Sequence, residues 1–139
     1  GPWVASPIRE RGYRGDDSIE SLLYSLATGD TKSRQELDVV AERIFLLHRA
    51  LTIRDMGTKD MRARHDTIPE WVFEDKNNKK AFTRGTIRMD KQDIRLAMDM
   101  FYDEMDWDKA TGAPTRRTYR KFGLGGVADA LARRKLVPA

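Results

Sequence analysis

A chain of 139 residues, 40% hydrophobic and 35% charged, can bury one core and carries too much apolar side chain for a disordered polyelectrolyte. Its 26 basic and 22 acidic residues leave a net charge of +4, too small and too intermixed for strong general attraction to polyanions. With no cysteine, disulfides, thiolate catalysis, iron-sulfur ligation and cysteine zinc sites are excluded within the chain.

No apolar run approaches the roughly 18 residues that span a bilayer, and no basic-then-apolar leader opens the chain. A cytoplasmic protein without a membrane partner is the expectation. Gly1-Pro2 has the form of a tag-cleavage scar and there is no initiator methionine, so a fragment or processed piece is expected. Residues 1–16 read as an extended basic lead-in, and residues 17–139 as a single helical domain. The Arg-Gly-Tyr-Arg-Gly run at 11–15 has the chemistry to stack on a nucleic-acid strand, but packing of Trp3 and Tyr13 on a neighbouring surface is the favoured reading.

Asp17 with Glu20 has the form of a capping box, and Ile19, Leu22, Leu23 and Leu26 follow on one helical face up to Gly29. Ser33 with Glu36 repeats the signal. It starts the longest predicted helix, whose apolar stripe is Leu37, Val40, Ala41, Ile44, Leu47, His48 and Leu51, with Arg43, Arg49 and Arg54 on its outer sides. His48 on that stripe is a candidate base or ligand. A buried histidine with one hydrogen bond is preferred, because no second ligand stands at metal spacing.

Between Gly57 and Arg88 the period is lost, and an irregular crossing is predicted, anchored by Trp71 and Phe73, with one or two helical turns after Pro69. His65-Asp66 has the composition of an oriented general base, since a carboxylate fixes an imidazole tautomer. Neighbouring side chains rarely face one another, however, and no nucleophile accompanies them, so a loop hydrogen-bonding role is preferred. Lys76 to Lys80 reads as a solvated turn, and Ile87 and Met89 as a brief extended segment.

Asp90 caps the next predicted helix, with Ile94, Ala97, Met98, Phe101, Tyr102 and Met105 as its buried stripe. Asp103, Glu104, Asp106 and Asp108 lack the ligand order of a calcium loop. Thr111-Gly112-Ala113-Pro114 is a turn, Thr115 caps a short basic helix to Gly123, and a last helix runs from about 126 to 135 on Val127, Ala130 and Leu131. Gly123-Leu124-Gly125-Gly126 lacks the lysine and strand of a phosphate loop. The expected fold is all-α, an irregular multi-helix bundle with a long irregular crossing loop.

The order of these signals resembles the C-terminal end of the tungsten-containing aldehyde ferredoxin oxidoreductases, over about residues 17–137. The family closes with a tyrosine, a Trp-Asp pair, a Gly-x-Pro-Thr turn, a short helix ending in Gly-Leu and an alanine- and leucine-rich helix. These fall on Tyr102, Trp107, Asp108, Gly112, Pro114, Thr115, Gly123 and Leu124. Upstream, Glu42-Arg43-Ile44 through Leu51 and Arg54 is similar to its long helix, and Asp66 and Pro69 to its Asp-x-Leu-Pro crossing. Met105-Asp106 and Ile68 depart from the family's usual Arg-Gly and leucine. The family's pterin-binding Asp-x-x-Gly-Leu motifs and four cluster cysteines have no counterpart here.

The resemblance implies a parent that oxidises an aldehyde to a carboxylic acid at a tungsten or molybdenum bis-pterin and passes electrons through a 4Fe-4S cluster to ferredoxin or another carrier. This chain is expected to contain no cofactor ligand and to pack as a helical wall behind the N-terminal cofactor-binding part. The loop around His48, His65 and Asp66 is its only candidate approach to a pocket. The rival expectation is a free-standing basic helical module that binds nucleic acid weakly through Arg9, Arg11, Arg14, Arg116, Arg117 and Arg120.

Overall fold

A computed structural model describes residues 18–74 and 90–138. The expected basic lead-in, Asp17, the Lys76 to Lys80 turn and the Ile87 to Met89 segment lie outside them. The described elements are α1 (Ile19–Thr28), α2 (Arg34–Met56), α3 (Met61–Arg64), α4 (Trp71–Glu74), α5 (Lys91–Glu104), β1 (Trp107–Asp108), β2 (Ala113–Pro114), α6 (Arg116–Lys121) and α7 (Gly125–Arg133). Among the described residues the fold is all-α apart from one antiparallel hairpin pairing Trp107 with Pro114 and Asp108 with Ala113. The chain divides into two compact units between Phe45 and Leu46, inside α2.

In the first unit, α1 closes on Gly29 in the left-handed region, with φ +73°, and the Gly29 N–H donates to Ser25 O. The start of α2 is the expected capping box. The Ser33 N–H donates to Glu36 Oε2 at 2.8 Å and the Glu36 N–H to Ser33 Oγ at 3.2 Å, so two orphan helix-end donors are satisfied reciprocally. Those bonds favour the ionised Glu36 carboxylate and lower its pKa. α1 buries no residue, and Leu22, Leu23, Leu26, Val39, Val40, Ile44 and Phe45 remain exposed in this unit.

The core belongs to the second unit. Leu46, Ala50, Ile53, Met61, Tyr102, Trp107, Ala113, Tyr119, Leu124, Ala128, Leu131, Leu136 and Val137 form one buried cluster. It draws α2, α3, α5, the hairpin, α6, α7 and the closing Leu136 and Val137 onto a common centre. Local starts follow the sequence closely: Asp90 accepts from the Gln92 N–H at 2.6 Å, and Thr115 Oγ1 accepts from the Thr118 N–H at 3.2 Å. Gly123 terminates α6 at φ +69°.

Several side-chain expectations need correction. The buried stripe of α2 is Leu46, Arg49, Ala50 and Ile53. The expected stripe is turned outward, with Val40, Ile44, His48 and Leu51 exposed and Leu47 half-buried. Two apolar stripes overlap on this helix, and the one broken by an arginine is the one that packs. Trp71, expected as an anchor, is 54% exposed, whereas Phe73 is half-buried under Lys91 Nζ, 5.3 Å from its ring centre. On α5 only Tyr102 is buried, Ala97 and Phe101 being exposed; on α7 Ala128 takes the core place expected for Ala130.

Tyr119 lies wholly inside the cluster, and among the described residues its hydroxyl has no hydrogen-bond partner. A buried, unsatisfied hydroxyl costs about 1–3 kcal/mol. Tyr119→Phe is therefore expected to leave stability unchanged or raise it by about 1 kcal/mol in urea unfolding, whereas most buried substitutions in this cluster lower it.

Candidate functional site

The polar centre of the second unit is built on Arg49, 8% exposed, one turn before Ile53 on the core face of α2. A buried guanidinium needs acceptors for its five donors. Asp66 supplies two: Arg49 Nη1 donates to Oδ1 at 2.7 Å and Nη2 to Oδ2, a bidentate pair. The Gly112 carbonyl supplies a third, accepting from Nη2 at 2.7 Å and Nε at 3.2 Å. The same guanidinium lies 4.9 Å from the centre of the Trp107 ring. One side chain from α2 thus holds both the crossing and the hairpin.

Asp66 is placed by the end of α3. The backbone N–H groups of His65 and Asp66 both donate to Met61 O at 2.8 Å, which brings the two side chains to the same side of the turn. His65 Nδ1 then lies 2.8 Å from Asp66 Oδ1. Tyr102 Oη, from the core face of α5, donates to Asp66 Oδ2 at 2.7 Å. Burial pushes the Asp66 carboxyl up. The hydrogen bonds from Arg49, His65 and Tyr102, with the arginine charge, outweigh burial and hold its pKa down at about 2. Burial, then the bond to Asp66 and its negative charge, push the Tyr102 phenol well above its usual range.

Gly112 closes the arrangement at φ +68°, between the two short strands. Its N–H donates to Asp108 O at 2.7 Å, while Asp108 Oδ2 accepts from the Thr111 N–H at 2.9 Å. A side chain here would begin 2.7 Å from Tyr102 Oη and 3.1 Å from the Arg62 backbone nitrogen. Beside it, the Arg62 N–H donates to Thr111 O at 2.8 Å, and Arg62 Nη1 pairs with Asp99 and donates to Lys109 O at 2.9 Å. The guanidinium of Arg62 sits 5.5 Å from the Tyr102 ring centre. Tyr102 also stacks on Trp107 with centroids 6.4 Å apart, and Phe101 meets both rings edge-on.

Of the three candidate residues, His65 and Asp66 come together, contrary to the expectation that adjacent side chains look apart. His48 is exposed, and its carbonyl accepts from Thr52 Oγ1 one turn on. Its place is taken by Arg49, which the sequence reading put on the outside. Leu46, Ala50 and Ile53 at 4- and 3-residue spacing were the available signal, since Arg49 lies on the stripe they define. Of the candidate nucleic-acid contacts, Arg117 pairs with Asp106 and Arg120 lies 4.0 Å from Asp129, while Arg9, Arg11 and Arg14 lie outside the described residues.

At neutral pH Asp66 is an ionised, fully engaged acceptor, and the clamp works mainly through hydrogen bonds and charge inside the fold. Among the described residues no group of three or more His, Cys, Asp or Glu side chains could hold a metal ion, and the chain has no cysteine. No helix among the described residues is long and apolar enough to cross a membrane.

The class defined by these features is an all-α protein whose crossing and hairpin are tied to the core by one arginine-carboxylate pair. The chain matches the family described as aldehyde ferredoxin oxidoreductase, domains 2 & 3, over residues 4–124, and belongs to that family. The match takes in the whole clamp from Arg49 to Gly112 and stops before α7. No solved structure matches the chain.

Proposed function

We propose that the chain is the C-terminal helical segment of an aldehyde ferredoxin oxidoreductase-like enzyme and serves as a structural wall behind its cofactor-binding part. The parent oxidises an aldehyde to a carboxylic acid in the cytoplasm, at a tungsten or molybdenum bis-pterin held by its N-terminal part. Electrons leave through a 4Fe-4S cluster to ferredoxin or another carrier. The family match over most of the chain carries this reading.

Surface composition supports the wall role. Leu22, Leu23 and Leu26 on α1, Val40 and Ile44 on α2, and Leu96 and Met100 on α5 are each between 45% and 74% exposed. Apolar faces of this kind mark contact with another protein surface when they are contiguous. The clamp supports it too, because Arg49, Asp66 and Tyr102 satisfy one another internally and hold the fold together.

Hydrogen exchange tests the reading. In the parent enzyme, amides of α1 and of the exposed face of α5 are expected to exchange at least tenfold more slowly than in the isolated 139-residue chain. Equal rates in the two would overturn the wall role. The isolated chain is expected to oxidise no aldehyde.

A further inference from the structure

His65 is the one member of the clamp that is not enclosed: its side chain is 48% exposed, against 8% for Arg49 and 21% for Asp66. Two neighbours compete for its Nδ1. Asp66 Oδ1, an acceptor when ionised, lies at 2.8 Å, and Arg49 Nη1, a donor only, at 3.3 Å. If Nδ1 carried a lone pair, Arg49 would gain a long, weak bond while two lone pairs faced each other at the shorter distance. If Nδ1 carries hydrogen, the shorter contact is a charge-assisted bond and Arg49 keeps its two bonds to Asp66 and its two to Gly112 O.

The second arrangement leaves one Nη1 hydrogen of Arg49 without this weak partner but turns the shorter contact from a lone-pair clash into a bond to an ionised acceptor. It also explains why Asp66 can orient the ring, for its carboxylate is pinned from one side by the fork of Arg49 and from another by the Tyr102 hydroxyl. With Nδ1–H fixed, the remaining ring nitrogen, Nε2, keeps its lone pair on the half-exposed imidazole. A histidine oriented through one nitrogen by a carboxylate is a stronger acceptor at the other.

We propose that His65 is an oriented base site, in which Asp66, held by Arg49 and Tyr102, fixes the Nδ1–H tautomer and leaves Nε2 to accept a hydrogen bond, and then a proton, from a hydroxyl group or water. The inference rests on the second unit alone and stands or falls separately from the wall reading. Arg49 and Tyr102 are positioning residues in it, since neither reaches the accepting nitrogen.

Two measurements on the unaltered full chain test it, with His48 as an internal control because it is exposed and, among the described residues, no carboxylate bonds its ring. At about pH 9, well above the ordinary imidazole pKa of about 6.5, long-range nitrogen-proton correlation spectra distinguish the two neutral tautomers. His65 is expected as Nδ1–H and His48 as the Nε2–H form that free imidazole side chains favour. Diethyl pyrocarbonate then probes the lone pair. Nε2 attacks a carbonyl carbon, the anhydride C–O bond breaks, ethyl carbonate leaves and decays to ethanol and carbon dioxide, and the Nδ1 proton passes to solvent. Carbethoxylation of His65 is expected to run several-fold faster than that of His48. An Nε2–H His65, or reaction no faster than at His48, would overturn the proposal.

Discussion

Asp66→Ala is expected to destabilise the second unit by about 3–5 kcal/mol, because it removes the bidentate acceptor of the 8%-exposed Arg49. The same change removes the acceptor of the buried Tyr102 hydroxyl. Urea unfolding at pH 7 checks it, and a midpoint equal to that of the unaltered chain would show that the clamp holds nothing. The converse substitution, Arg49→Met, is expected to cost less, since Met refills the volume and Asp66 keeps Tyr102 and His65 as donors.

The clamp also sets an acid limit. Asp66 in the fold has its pKa lowered from 3.8 to about 2, so the unfolded chain binds the proton more readily. The stabilisation is present in full above about pH 4 and is lost as pH falls through about 2. Allowing for solvent screening, on the order of 1–2 kcal/mol disappears over that window. Asp66→Ala should flatten this part of the stability profile.

Gly112→Ala is the second large effect, expected at about 2–4 kcal/mol from two additive causes: a positive φ that L-residues resist, and a collision that overpacks the site. The new Cβ would stand 2.8 Å from Tyr102 Cζ and 3.1 Å from a backbone nitrogen, and the backbone atom cannot swing away. Tyr102 would have to leave Asp66, and the carbonyl that accepts from Arg49 would move with the hairpin. Gly123→Ala is the control, because the same positive φ there meets open space; it is expected to cost only about 1 kcal/mol.

Local chemistry was legible in the sequence. Ser33-Glu36, Asp90, Thr115, Gly29 and Gly123 each act on residues within a turn of themselves, so their partners could be read from spacing alone. The turn at Gly112 was legible for the same reason. What could not be read was which of two stripes on α2 packs. The apolar count favoured Leu37 through Leu51, but the outcome depended on acceptors 17 and 63 residues away, at Asp66 and Gly112, that make burial of Arg49 tolerable.

His65-Asp66 shows the same limit from the other direction. The pair was visible as residue types, yet extended backbone would set the two side chains apart. Only the double use of Met61 O at the end of α3 turns them together. The family itself was legible because its signature is a sequence order, from Glu42 and Arg43 through Asp66 and Pro69 to Trp107, Pro114 and Thr115, rather than a geometry.

The most direct measurement of the account is the intact mass and metal content of the polypeptide that carries this chain, purified after anaerobic expression. A polypeptide substantially longer than 139 residues that contains tungsten or molybdenum together with iron is expected. A polypeptide of this length alone, with neither tungsten nor molybdenum bound, would contradict it.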